Sequence, residues 1–299
     1  RLWPAEKGPV MTKLHKIVAL LAVLVTVVAG IPPASAEKPW EKIDIPELNE
    51  FEMPEFERVE LDNGMVLYLA EDDFVPMLQL SATIRAGSIY EPADKVGLAS
   101  MTGTVLRTGG AGERSGDQID ALVEARGMSV ETWVGQTTGG AYLSCLNEDV
   151  DLGLGLLADI LMRPRFAEEK IALARQEQKS AISRRNDEPM SIAQREVRKV
   201  LYGEDHPLAR HPEYDTIEAV TRQDMQAFHQ AYFHPEHMYL VVIGDFEADQ
   251  MVERIEAAFA GWEPAPAPLP EDPEIPDLPR TVNVAAKDGL TQATVLLGH

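Results

Sequence analysis

Val96–Gly110, VGLASMTGTVLRTGG, is the stretch on which the reading of this chain turns. It holds no His, Cys, Asp or Glu. Ser100 and Thr104 stand one helical turn apart, with Gly103 between them. Neutral hydroxyl oxygens are poor ligands for a borderline-soft dication, which prefers imidazole, thiolate or carboxylate. Gly103 has no side chain with which to accept a proton. Ser100 has no evident His partner to activate it, so its role is to pack the helix.

The flanking sequence gives the stretch its context. Leu61-Asp-Asn-Gly-Met-Val-Leu-Tyr and Ala86-Gly-Ser-Ile-Tyr-Glu precede it, and Leu156-Leu-Ala-Asp-Ile-Leu-Met-Arg-Pro-Arg-Phe follows. Phe228-His-Gln-Ala-Tyr-Phe-His-Pro-Glu-His-Met and Val241-Val-Ile-Gly-Asp come later. In this order, from about Phe56 to His299, these segments resemble the insulinase/pitrilysin family of zinc metallopeptidases, which includes the mitochondrial processing peptidases. Gly97-Leu98-Ala99 matches the start of that family's first helix, typically G-L-A-H-F-L-E-H.

The resemblance implies a site and shows what is missing from it. In the inverted H-x-x-E-H motif the two histidines lie on one helical face and reach one metal, while the glutamate activates the bound water. The family's histidine positions fall on Ser100 and Thr104, and its general-base position on Gly103. The third ligand, a glutamate on a later helix, falls on Ala181 when aligned from Asp187-Glu188-Pro189, and its upstream glutamate partner on Ala174. Glu177 lies four residues before Ala181 on the same face, but one carboxylate without two histidines makes no site. The expectation is therefore no catalytic residue, no family-type metal site and no cofactor, although zinc is the family's metal.

The fold implied by the resemblance is α+β: a mixed, largely antiparallel sheet with helices packed on it, then the first strands of a second, homologous domain. Composition agrees with a chain that forms a core, with 45% hydrophobic and 25% charged residues. The formal charge is −22 overall; residues 1–36 carry +3, which leaves −25 for the remainder. That excess argues against nucleic acid and is compatible with basic peptides or simply with a well-solvated exported protein.

Residues 1–10 read as translated upstream sequence. Residues 11–36 read as a secretory signal, with the basic Met11-Thr-Lys-Leu-His-Lys, an apolar Ile17–Gly30 and a cleavage site at Ala34-Ser-Ala36. The apolar run is short for a membrane span, so no stable anchor is expected after cleavage. The expected location is the periplasm or the extracellular space. Cys145 is the single cysteine, which excludes an intramolecular disulfide, and its apolar strand marks it as core.

Residues 37–55 form a polar, Pro-punctuated arm, and residues 56–262 the peptidase-like domain. Asp62-Asn63-Gly64 is a hairpin turn between alternating runs. A strand is expected at Met77–Ile84, paired strands at Met128–Val134 and Gly140–Leu146, and a buried strand at Tyr239–Ile243. Helices are expected from Ser115 to about Gly127, over Asp149–Met162, Phe166–Asn186 and Ser191–Tyr202, from Thr221 to about Tyr232, and over Glu247–Phe259. Gly203–Tyr214 reads as a loop. The Pro- and acid-dense stretch at 263–279 is a linker, and 280–299 begins the second domain with strands at Arg280–Ala285 and Gln292–Leu297.

Other chemistry is thinly represented. His206 and His211 share one loop, and His234-Pro-Glu-His237 has an HxxH spacing that Pro235 keeps out of a helix, so capping or loop hydrogen bonds are the expected roles. A peptide edge needs no particular side chain, because relatives add substrate to the sheet as a strand. That edge falls on Glu131, Thr132, Trp133 and Val134, where the family often has N-A-Y-T.

The resulting expectation is a catalytically inactive homologue, the peptide-binding or regulatory subunit of a heteromeric zinc peptidase in the cell envelope. Its partners would be an intact zinc-bearing relative and an extended peptide. Two other readings stay open: a stand-alone peptide-binding or structural scaffold, and an active metalloendopeptidase using some other site.

Overall fold

Asp62-Asn63-Gly64 turns the chain between β1 (Glu57–Glu60) and β2 (Val66–Glu71), and Gly64 takes φ 86°, which a residue without Cβ adopts freely. The computed structural model describes residues 55–298; the leader expected at 11–36 and nearly all of the arm lie outside the described residues. Four more strands follow: β3 (Met77–Ile84), β4 (Ser129–Val134), β5 (Gly139–Leu146) and β6 (Met238–Gly244). Together they form one six-stranded sheet in the order β1-β2-β6-β3-β5-β4. Only β2 and β6 run parallel; the other pairs are antiparallel, the mixed α+β arrangement expected from the sequence.

The helices are α1 (Leu98–Thr108), α2 (Gly116–Arg126), α3 (Val150–Met162), α4 (Glu168–Arg184), α5 (Pro189–Tyr202), α6 (Tyr214–Glu218), α7 (Arg222–Tyr232) and α8 (Ala248–Ala258). Ser115 and Thr221 cap α2 and α7 through reciprocal capping boxes with Gln118 and Asp224. Alternate strand residues point to opposite faces, and Leu67, Leu69, Leu78, Leu80, Leu240 and Val242 are all buried on the helix-covered side. Helix α1 adds Leu98, Met101, Val105 and Leu106 to this core, each contributing about 1.5–3 kcal/mol by burial.

Two expectations require correction. The strand expected to be buried at Tyr239–Ile243 is covered on one face only: Leu240 and Val242 are inaccessible while Tyr239 and Ile243 are 45% and 44% exposed. An unbroken apolar run does not reveal whether a second layer exists. The segments 280–285 and 292–297 form no strand, and Val282, Val284, Val295 and Leu297 project into solvent. A strand-patterned segment needs a neighbouring strand to complete its hydrogen bonds, and these find none among the described residues. A smaller departure is α6, a short helix that the loop reading stopped just short of.

Gly155 lies on the exposed side of α3 with no atom near the position of a Cβ. Gly155→Ala is therefore expected to stabilise the protein by about 0.5–1 kcal/mol, a gain that a urea denaturation curve would register.

Candidate functional site

Glu91 sets the start of α1. Gly97 occupies the N-cap with φ 108° and offers no side chain, so the first amides are met from outside the helix. The Glu91 carboxylate accepts the N–H groups of Gly97 at 3.1 Å and Ala99 at 2.9 Å. These bonds and the charge of Arg210 favour the ionised form, but burial outweighs them and pushes the carboxyl up to about 7. Sequence reading treated this glutamate only as a positional marker within Ala86–Glu91; its role became visible with the close approach of its carboxylate to the helix start.

Helix α1, with Ser100 and Thr104, packs against β4, α7 and α4, the helix that carries Ala181. Ser100 faces α4, and its Oγ accepts from Gln178 Nε2 at 3.1 Å. Gln178 lies three residues, about one helical turn, before Ala181 on α4. Ala181 and Glu177 are exposed, and Ala174 is buried. Thr104 is exposed, and its hydroxyl donates to the Ser100 carbonyl at 3.2 Å.

Gly103 is different: it is buried against the strand. A Cβ there would stand 2.3 Å from Val134 N and 2.6 Å from Trp133 C. Its carbonyl accepts the Thr132 hydroxyl at 2.7 Å. Two hydroxyls, a methyl and a hydrogen are thus the side groups at the four motif positions, and this donor set does not fit zinc.

The strand expected to offer a peptide edge is the outermost one, since among the described residues β4 pairs only with β5. Glu131 and Trp133 lie on the face away from the helices, Val134 is buried, and Thr132 is tied to α1. Glu131 is 3.8 Å from Arg107 Nε, so a charged pair stands where relatives often carry asparagine. Beyond the edge, the face of the inner strands away from the helices carries Tyr68, Tyr239, Val241, Ile243 and Tyr142 interleaved with Gln79, Ser81, Thr83 and Ser144, and the outer strands add Arg58, Glu60 and Glu131. Tyr68 meets Tyr239 edge-on, with ring centroids 6.3 Å apart.

The remaining candidates have local partners. His206 Nδ1 accepts from Leu208 N–H, and His211 lies 3.2 Å from Glu213. His234 contacts the carbonyls of Gln230 and Glu263, and its ring lies 6.0 Å from that of His237. Among the described residues, no group of three or more His, Cys, Asp or Glu side chains could hold a metal ion. Cys145 is buried, and burial raises its thiol to about 11, far from the range of a reactive thiolate.

A one-sided mixed sheet, a capped helix across its edge strand and emptied ligand positions facing α4 define a peptidase-type domain without the usual side chains. The chain belongs to the insulinase family, peptidase family M16: that family's profile matches residues 67–214, and the profile of the peptidase M16 inactive domain matches 219–298. It is 26% identical over 205 residues to an uncharacterized zinc protease of Mycobacterium leprae, covering 68% of this chain and 45% of that protein. It is 24% identical over 208 residues to the mitochondrial-processing peptidase subunit alpha of Rattus norvegicus, covering 69% of this chain and 39% of the relative. The chain thus spans less than half the length of these curated relatives. Its fold is similar to the crystal structure of a peptidase M16 inactive domain from Pseudomonas fluorescens, with a TM-score of 0.68, 20% identity, and coverage of 75% of this chain and 54% of that one.

Proposed function

We propose that this protein is a catalytically inactive member of the insulinase family that binds no zinc at the family site and acts as the peptide-binding or regulatory subunit of a heteromeric zinc peptidase. The observation that carries this reading is the set of groups at the motif positions: Ser100, Gly103 and Thr104 on α1 and Ala181 on α4 supply neither imidazole nor carboxylate. The tyrosine-bearing sheet face and the edge of β4 support a binding role, since both offer surface to a partner or an extended peptide. Similarity to a protein named as one subunit of a processing peptidase supports a shared assembly. Export to the periplasm or cell surface rests on the sequence of residues 11–36.

The test is zinc content and peptide hydrolysis by the purified protein, alone and after co-expression with an intact H-x-x-E-H relative from the same source. Hydrolysis appearing only in the presence of the relative, or rising with it, is the expected result. Zinc and cleavage by the lone chain would sink the proposal. A protein that neither joins the relative nor changes its activity would be a stand-alone scaffold instead.

A further inference from the structure

We infer that the lost site has two halves of different kinds: its metal-ligand positions remain open to new side chains, whereas its water-activating position is filled by the backbone of β4. This inference rests on the reading that the family site is absent, and adds that one part of the loss is built into main-chain packing.

The evidence lies in what surrounds each position. A Cβ at Gly103 would meet Val134 N at 2.3 Å, Trp133 C at 2.6 Å and Trp133 Cα at 3.0 Å. All three are main-chain atoms, which cannot rotate aside as the end of a flexible side chain can. Their strand is held from several directions. It is registered to β5 from Ser129 to Val134, and Thr132 is hydrogen-bonded to the Gly103 carbonyl. On the opposite face the Trp133 ring lies over Gly140, where a Cβ would stand 2.8 Å from Trp133 Cζ2 and 2.0 Å from Ala82 O. Making room would therefore mean shifting the main chain of α1 or β4.

The ligand positions have such room. Ser100 is half-buried, Thr104 and Ala181 are exposed, and the Ser100–Gln178 hydrogen bond already joins the two helices three residues before Ala181. Imidazoles at 100 and 104 and a carboxylate at 181 therefore enter solvent-side space, on two helices whose spacing the native packing already sets. A glutamate at 103 would have to displace the strand first.

The experiment compares four variants of the 299-residue chain: Gly103→Ala, Gly155→Ala as its control, the triple Ser100→His/Thr104→His/Ala181→Glu, and that triple with Gly103→Glu added. Thermal midpoints and zinc bound per chain, by competition with a chromophoric chelator, are the readouts. Alanine normally improves an interior helix position, so the sign of the single-methyl variant is diagnostic. Gly103→Ala is expected to lower the midpoint by about 5 °C or more, while Gly155→Ala does not lower it. The triple variant is expected to take up one zinc, and adding Gly103→Glu to lower its midpoint and its zinc uptake.

The inference is overturned if Gly103→Ala is as stable as the wild type, if the triple variant takes up no zinc, or if the fourfold variant keeps its midpoint and its metal. Zinc in the wild-type protein would instead overturn the proposed function, so the two failures are distinguishable.

Discussion

Glu91→Gln is expected to make stability climb with pH, gaining about 2 kcal/mol relative to the wild type between about pH 4.5 and 6.5. Burial holds the folded-state carboxyl at about 7, above its ordinary 4.5, so the folded protein keeps a proton that the unfolded chain has released. The contribution of this group is therefore fully present below about pH 4.5 and is lost as pH rises through about 7. Glutamine does not titrate and removes that loss. It also offers a single acceptor oxygen to the two amides of Gly97 and Ala99, so the variant is expected to be less stable than the wild type at the acid end. The check is a series of urea denaturation curves at half-unit pH steps on both proteins. Parallel profiles would mean that Glu91 ionises normally in the fold.

His229→Gln is expected to do the opposite. The His229 ring is half-buried, stacks on Phe233 at 5.0 Å and approaches Phe166 edge-on at 6.1 Å. Its Nε2 lies 2.8 Å from the Leu161 carbonyl, an acceptor, so that nitrogen carries the proton of the neutral ring. Burial dominates, holding the group at about 4, below its ordinary 6.5; the carbonyl pulls the other way and His234 adds a little to the depression. Between those values the unfolded chain binds a proton that the folded protein refuses, so the contribution of His229 is present above about pH 6.5 and lost as pH falls toward 4. Its slope is nearly the mirror image of that of Glu91, and in the wild type the two largely cancel between about pH 4.5 and 6.5. With glutamine at 229, stability relative to the wild type is expected to fall by about 2 kcal/mol across the same window. A further loss of about 1–3 kcal/mol at every pH follows from the missing ring stacking. Calorimetry across pH measures both effects, and a profile that keeps the wild-type shape would overturn the assignment of a depressed imidazole.

Much of the fold was legible because its signals are local. Asp62-Asn63-Gly64 demands a turn, Ser115 with Gln118 and Thr221 with Asp224 announce helix starts, and the alternation in Met77–Ile84 and Gly139–Leu146 reports strands with one buried face. Segments 280–285 and 292–297 have the same alternation without the same outcome, because a strand is completed by its neighbour and none is present among the described residues. Tyr239–Ile243 failed for a related reason: an apolar sequence can face solvent when nothing is packed above it.

The site divides along the same line. That Ser100, Gly103, Thr104 and Ala181 carry neither imidazole nor carboxylate is a matter of functional groups, and functional groups are written in the sequence. Their arrangement is not. The role of Gln178 in holding Ser100, the seat of the Glu91 carboxylate on two helix amides, and the aromatic sheet face of Tyr68, Tyr239 and Tyr142 each join residues far apart in the chain.

By itself, then, the sequence determined the family resemblance, the order of most elements and the absence of metal-binding groups at the family's positions, since each depends on residue identity and near-neighbour spacing. Only the tertiary structure decided that Gly103 meets the backbone of Trp133 and Val134 and that, among the described residues, no second layer covers the other sheet face. It also decided that one carboxyl and one imidazole lose enough contact with water to change their protonation. These depend on distances between segments that the sequence lists far apart, and on the removal of water from between them.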